Sequence, residues 1–533
     1  MDKTVIVIGS GLGGLSAAIH LQRRGFKVRL FEKNASPGGK MGQYKSDGYR
    51  FDTGPSLLTM PFVVDDLFKS AGANREDYLN FIPLDPLCRY FWEDGAVLNA
   101  SVDVEQMTQE IAQISSADGK NYPAFLEYTR RIFQLTADIF LFSPIHEIKA
   151  MLNWRSLETL LRLPQIDPLR SMHNGISRFF KNPHIVQLFD RFATYNGSNP
   201  YKAPATLNII PFVEHGLGGY YIKGGMYKLV QALESLALNL GVEIHTNSPV
   251  QQIIHHSRRV RGVLVGDKFF ETDYIVCNAD VVSARNQLIS GFPKREEKLN
   301  RLEPSLSGMV FLWGVSKKHP ELAHHNIIFS QDYHQEFTHI FDKKRAPDDP
   351  TVYIAITAKT DSDHAPANGE NWFVLLNMPY LKKGQDWEAE TARMRETILQ
   401  KLQRRGIKIS QHIETERVYT PETFYRLYGS NRGSIYGISS NSRSTAFRRP
   451  ANRSRDIEGL YFAGGSTHPG GGIPLVLLSG KITARLIAEH AGKKNFFANF
   501  FVPEIIKSPF RIKTNDGRSV VSNSKASPPD GSE

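Results

Sequence analysis

The stretch KTVIVIGSGLGGLSAAIHLQRRGFKVRLFEKNASPGGK, Lys3 to Lys40, decides the fold. Val5 to Ile8 is continuously apolar and β-branched, which predicts a strand buried on both faces in a parallel sheet. Gly9, Gly11 and Gly14 then give G-x-G-x-x-G. The first glycine permits the tight turn, the second lets backbone approach a pyrophosphate, and the third lets a helix pack on the strand. A helix is predicted over Leu15 to Arg24, with Leu15, Ala18 and Ile19 on one apolar face and Gly25 as its stop. Its amides and positive dipole end point at the phosphates. Val28 to Phe31 reads as the second strand, and Glu32 stands at its end, where a carboxylate accepts from ribose hydroxyls. An acid there favours a 2′-hydroxyl over a 2′-phosphate.

Ser36-Pro37-Gly38-Gly39-Lys40 follows within a few residues. Acid, Gly-Gly and base in that order resemble the extended fingerprint of flavoproteins of the amine oxidase and carotenoid desaturase superfamily. The resemblance implies that Gly39 carries the chain past FAD and that Lys40 approaches its phosphates.

The second deciding stretch is EGLYFAGGSTHPGGGIPLVLLSGKITARLI near the other end of the chain. Leu460 to Ala463 predicts a short strand. Glycines at 464, 465, 470, 471 and 472 follow, and a helix is predicted from Leu475 to about Glu489. So many glycines imply backbone passing very close to a ligand. A glycine cradle at each end of the chain suggests one long cofactor gripped from both sides, and FAD has the length.

Between these ends, 533 residues predict two or three domains, and 41% hydrophobic and 11% aromatic content suits a large core. Cys88 and Cys277 stand far apart and form no C-x-x-C, so neither a disulfide framework nor a cysteine metal site is supported. The first strand begins almost at Met1, so no signal peptide is expected. No uncharged apolar run reaches the ~18 residues of a membrane span. The net charge of +11 suits nucleic acid or an anionic membrane surface. No nucleic-acid-binding motif is present, so nucleic acid is not expected. His334 and His339 are five apart, not four, so no metal site is assigned, and no nucleophile elbow occurs.

Residues 103–215 read as helix-rich. Apolar residues recur at helical spacing (Ile132, Leu135, Ile139; Leu157, Leu160, Leu161) among Arg130, Arg131, Arg155, Arg162, Arg170, Arg178 and Lys181. Two readings compete: ordinary core, or helices lying in a membrane interface. A second βαβ-like section runs from Gly224 to Asp280. MVFLWGV and TVYIAIT, within 305–380, suggest an antiparallel sheet, and 385–405 a long helix. Residues 515–533, rich in Ser, Pro, Asp and Lys, predict a disordered tail.

FDTGPSLLTMP, YIKGGMYKLVQAL, YGSNRGSIYG and GLYFAGGSTHPGGGIP, in that order, resemble the motifs of the bacterial-type phytoene desaturase family over about residues 1–490. Gly471 departs mildly from the small side chain usual there, which predicts a looser loop beside the flavin. The resemblance implies an α/β fold with a Rossmann-like, discontinuous FAD-binding domain (1–85, 220–290, 450–492). It also implies a helix-rich substrate and membrane-facing region (86–219), a mixed or antiparallel substrate-binding sheet region (291–449) and a tail (493–533). It places Gly9, Gly11, Leu12 and Gly14 at the pyrophosphate and Glu32 at the ribose. Gly39 and Lys40 fall at the phosphate side, Ser56 and Leu57 near the flavin, and Val250 and Asn278 near the adenine. Gly465, Gly472, Ile473 and Pro474 close over the ribityl chain and ring.

Within the family, GPSLLTMP and HNIIFSQDYHQEF look most like desaturases of 1-hydroxycarotenoids that introduce a 3,4 double bond. Phytoene or a C30 diapo-analogue is the close alternative. The activity implied is an FAD oxidoreductase on CH–CH groups, reoxidised by oxygen or a quinone, with no catalytic base nameable from the sequence. A long-chain carotenoid dissolves in bilayers, so a cytoplasmic enzyme peripheral on the inner face of the cell membrane is expected. Its docking face would use Ile139, Phe140, Leu141, Phe142 and Trp154 with Arg155, Arg162 and Arg170. Rivals on the same fold are an amine oxidase, a carotenoid isomerase or saturase, and a non-redox prenyl-lipid carrier of the GDP-dissociation-inhibitor type.

Overall fold

A computed structural model describes residues 3–147, 163–442, 449–492, 511–513 and 519–521. The chain divides into two units, Met1–Phe496 and Phe497–Glu533. In the second, Arg511–Lys513 pairs antiparallel with Ser519–Val521. That corrects the expectation of disorder for 519–521: the Val520–Val521 pair and Ile512 are β-branched and suit a ladder. The rest of the tail lies outside the described residues.

The first unit holds a five-stranded sheet in the order Leu460–Phe462, Tyr274–Cys277, Thr4–Ile8, Lys27–Phe31, Glu243–His245. Every pairing in it is parallel. Strands from residues 4 to 462 therefore meet in one sheet, its centre formed by the β-branched runs Thr4–Ile8 and Tyr274–Cys277. The helix after the first strand spans Leu12–Gln22, three residues earlier than predicted. The G-x-G-x-x-G motif overlaps its first turn, so Gly13 and Gly14 are helical. Residues Leu12 to Leu21 are all buried, so this helix is covered all round rather than on one face. The C-terminal helix likewise starts early, at Ile473, with Pro474 in its first turn where a missing N–H costs nothing.

These two helices cross closely. A Cβ on Gly480 would stand 2.5 Å from the Gly13 carbonyl oxygen, and Ser16 Oγ donates to the Leu477 carbonyl at 2.7 Å. The two ends of the chain are thereby fastened together.

A seven-stranded sheet runs in the order Ile413–Tyr419, Ser307–Val315, Glu370–Met378, Val352–Ile356, His325–Ile328, Cys88–Phe91, Val97–Ala100. Pairing is antiparallel except between His325–Ile328 and Cys88–Phe91. Two of its strands thus come from the segment read as helix-rich from residue 86. One face buries Trp313, Trp372, Val374 and Leu376 against Met394, Ile398 and Leu402 of helix Trp387–Arg404. The other face turns toward a cavity.

Helices Val104–Ile114 and Ser116–Phe140 precede the sheet's long strands, capped by Asp103 and Ser115. No described helix is long and apolar enough to cross a membrane.

Candidate functional site

A cavity of about 720 Å³ opens between the two sheets, within the range of small-molecule sites. Both glycine segments meet at one end of it. At the N-terminal one, Glu32 is buried and holds the loop: Oε2 accepts from Ser10 N at 2.8 Å and Ser10 Oγ at 2.7 Å, and Oε1 accepts from Asn34 N at 2.9 Å. A carboxylate offers about four lone-pair sites, so capacity remains for a ligand hydroxyl. A Cβ on Gly14 would fall 2.0 Å from the Gly9 carbonyl oxygen. Gly14 therefore packs beneath the loop and does not line the cavity.

Asn278 joins the two cradles. Its Nδ2 donates to the Ala463 carbonyl at 3.0 Å. Cβ atoms on Gly11, Gly13 and Gly464 would all come within 2.8 Å of its amide. Those glycines make room for one side chain as well as for a ligand. Beside it, Ser466 Oγ accepts from Val281 N at 3.0 Å, and Asp280 caps helix Val281–Gln287 at Val282 N and Ser283 N.

The two helices that follow the glycine segments carry no side-chain cap: Gly11 and Gly472 are their N-caps. Their first-turn amides lack intrahelical acceptors and sit at positive dipole ends, a donor set that suits a pyrophosphate. Gly472 has φ +98° and its Cβ would meet nothing within 4 Å, so the space before it is open to the cavity it lines. The residues present therefore fit FAD.

Lys40 and Arg449 also sit at this end. Lys40 Nζ donates to the carbonyls of Ile435 at 2.6 Å and Ser434 at 3.3 Å. Enclosure away from bulk water lowers its ammonium to about 8, opposed by Asp280. Arg449, 6% exposed, donates to the carbonyls of Tyr436 and Gly465, each at 3.0 Å, and to Asn196. Burial lowers its guanidinium to about 10.

All the other residues expected from the sequence to bind the cofactor line this cavity: Gly9, Gly11, Leu12, Glu32, Gly39, Lys40, Ser56, Leu57, Val250, Asn278, Gly465, Gly472, Ile473 and Pro474. Gly471 differs from expectation in its consequence. A Cβ there would stand 2.7 Å from the Tyr436 ring, so the ring fills the space and the loop is propped rather than loosened.

Away from the glycines the cavity becomes a largely apolar chamber. One cross-strand row, Ile327, Tyr353, Leu375 and Val310, spans four adjacent strands, and all four residues line it. Phe373 follows on the same face of its strand. Phe140 and Leu141 close another side, while Phe142 is buried. Of the residues expected at a lipid docking face, Phe140 and Leu141 thus line the cavity and are half-buried, and Phe142 belongs to the core. Arg170 is paired with Asp167 at 3.1 Å, and Trp154, Arg155 and Arg162 lie outside the described residues.

Sequence reasoning missed Arg449, Tyr436, Tyr353 and the buried Arg191–Glu214 pair at 2.6 Å. The register of TVYIAIT, where Tyr353 is the polar residue in an apolar alternation, was the available signal for Tyr353. Arg449 stood unmarked in a run of basic residues.

The sequence matches the family described as flavin containing amine oxidoreductase over residues 12–488. The chain belongs to that family, and FAD is its cofactor. It is 40% identical over 486 residues to a 1-hydroxycarotenoid 3,4-desaturase of Flavobacterium sp., covering 91% of this chain and 99% of that protein. It is 38% identical over 485 residues to a 4,4'-diapolycopene oxygenase of Methylomonas sp., covering 90% and 97%. Among solved structures, an oxidoreductase from Methanosarcina mazei aligns with a TM-score of 0.60 at 15% identity, covering 91% of this chain and all of the other, which shows a shared fold.

Proposed function

We propose that this protein is an FAD-dependent carotenoid desaturase that introduces a double bond near the hydroxylated end of an acyclic 1-hydroxycarotenoid. The observation that carries the reading is one continuous cavity whose glycine end fits FAD and whose other end is an apolar chamber. A polyene is apolar along its length, and such a chamber binds it by area rather than by polar contacts. The relative at 40% identity, matched over 99% of its length, supports the substrate class.

In this reading residues 1–85, 220–290 and 450–492 hold the cofactor, 86–219 and 291–449 hold the substrate, and 493–533 form a tail. Gly9, Gly11 and Leu12 take the pyrophosphate with Gly14 supporting the turn from beneath, Glu32 takes the ribose, and Lys40 the phosphate side. Val250 and Asn278 flank the adenine portion, and Ser56, Leu57, Gly465 and Gly472 to Pro474 the flavin. Bound FAD supplies a two-electron hydride acceptor. The chain's own part is to exclude water and to hold one C–C bond in place. Peripheral docking on the inner face of the cell membrane delivers the lipid-soluble substrate, and oxygen or a quinone reoxidises the cofactor.

Expression in a strain that accumulates one defined acyclic 1-hydroxycarotenoid tests this. The product is expected to lose two hydrogens and to absorb at longer wavelength. Gain of oxygen instead would favour terminal oxidation, the reading suggested by the relative named a 4,4'-diapolycopene oxygenase. Unchanged mass with altered geometry would indicate isomerisation, and unchanged pigment would reject the proposal.

A further inference from the structure

In the chamber wall, three side chains form a hydrogen-bonded line that runs from the cavity into the core. Ser56 Oγ and Tyr353 Oη are 2.5 Å apart, and Tyr353 Oη and His325 Nδ1 are 2.7 Å apart. Ser56 and Tyr353 line the cavity, while His325 stands behind them, 2% exposed. His325 Nε2 is buried without a hydrogen-bond partner among the described residues. Tyr353 is flanked by Ile327 on one neighbouring strand and Leu375 on the other. The line is therefore a polar spot set in an apolar wall.

Its chemistry is neutral. Burial, reinforced by His324 and Arg191, holds His325 far below the ordinary imidazole range, so it carries one N–H and one acceptor nitrogen. With the proton on Nε2, Nδ1 accepts from Tyr353, Tyr353 accepts from Ser56, and Ser56 offers lone pairs to the cavity. With the proton on Nδ1, every bond reverses and Ser56 offers its O–H. Either way Ser56 is the open end. The nearby cation is not available for an acid, because Arg191 is matched to Glu214 at 2.6 Å with both side chains buried. A carboxylate end group would therefore lack a counter-charge. A hydrocarbon end would leave the line's open end unmatched, which is unfavourable in an apolar site. An alcohol donates and accepts, so it satisfies both arrangements.

We propose that Ser56, Tyr353 and His325 receive the hydroxyl of the substrate's end group, and that this contact selects hydroxylated over unhydroxylated polyenes. The inference rests on the reading of the protein as a carotenoid desaturase. Anchoring one end of a long polyene also fixes which carbon pair rests at the cofactor end of the cavity. Tyr353 and His325 are positioning residues behind Ser56, since they act by setting which way its hydroxyl points.

The test compares an acyclic 1-hydroxycarotenoid with the same carotenoid lacking the hydroxyl, using the flavin-loaded full chain in detergent. Wild type is expected to favour the hydroxylated compound in kcat/KM by about tenfold or more. Tyr353→Phe removes one oxygen and should collapse that preference to about threefold or less, with an unchanged flavin spectrum and melting temperature. Ser56→Ala provides the second variant and should collapse it likewise. Dithionite-reduced protein cannot turn over, so titration followed by the polyene absorption band reads binding alone, and the same preference should appear there and vanish in Tyr353→Phe. If wild type converts both compounds equally, hydroxyl selection is overturned while desaturation stands. If wild type prefers the hydroxylated compound and both variants keep that preference, the assignment to these residues is overturned. If wild type converts neither, the functional reading itself fails.

Discussion

At the glycine end of the cavity, a Cβ on Gly14 would stand 2.0 Å from a backbone oxygen, and Cβ atoms on Gly11, Gly13 and Gly464 would crowd the Asn278 amide. In the chamber, the row Ile327, Tyr353, Leu375 and Val310 is side-chain surface on an ordinary antiparallel sheet. One region is shaped by where side chains are missing, the other by which side chains are present. The first has almost no acceptable substitutes, because backbone cannot give way. The second can change its occupants in small steps, because neighbouring side chains repack.

The largest test of that contrast is Gly14→Ala. One methyl group has to displace the Gly9 carbonyl, which belongs to the turn that fits the pyrophosphate. Flavin-to-protein ratio after purification should fall to near zero, whereas Leu375→Val in the chamber should leave it unchanged. Equal flavin content in the two variants would break the comparison.

The same contrast explains what the sequence disclosed. Glycine spacing, the β-branched runs beside it and Glu32 are local signals, and they marked the two segments that meet at one end of the cavity. The chamber had no such signal. Ser56, Tyr353 and His325 lie on a loop and two separate strands, and their meeting depends on cross-strand register, which composition does not encode. The place of Phe140 to Phe142 was illegible for a related reason. Helical spacing shows that Phe140 to Phe142 share apolar character but not whether they face lipid, core or cavity.

Lys40 sits where the two regions join and sharpens the comparison through pH. Its ammonium titrates at about 8 in the fold, against about 10.4 in an unfolded chain. Between those values the unfolded chain holds more protons, so this group's contribution to folding stability rises with pH across that window. Flavin affinity should run the other way, because the proposed contact to the phosphate side needs the charged form. The dissociation constant of FAD should rise above about pH 8 in wild type. Lys40→Arg should remove the rise, and Lys40→Met should weaken binding at neutral pH by about 1.5–3 kcal/mol. Equal binding by Lys40→Met and wild type at neutral pH would assign Lys40 wholly to the Ser434 and Ile435 carbonyls.

The smallest expected effect lies at the contact between backbone and side chain, Gly471 against Tyr436. A Cβ at 471 would be 2.7 Å from the ring, but a ring can tilt where a carbonyl cannot. Gly471→Ala should therefore fold and keep flavin, with a loss of about 1 kcal/mol in stability, at the low end of what overpacking costs. Tyr436→Leu in the same chain should recover most of it, because the crowding atom is on the ring, while Tyr436→Phe should recover none. A double-mutant cycle on thermal unfolding measures this coupling directly. If Gly471→Ala is as damaging as Gly14→Ala, or if Tyr436→Leu gives no relief, the position is constrained by backbone after all, and the boundary between the two regions lies further into the chamber.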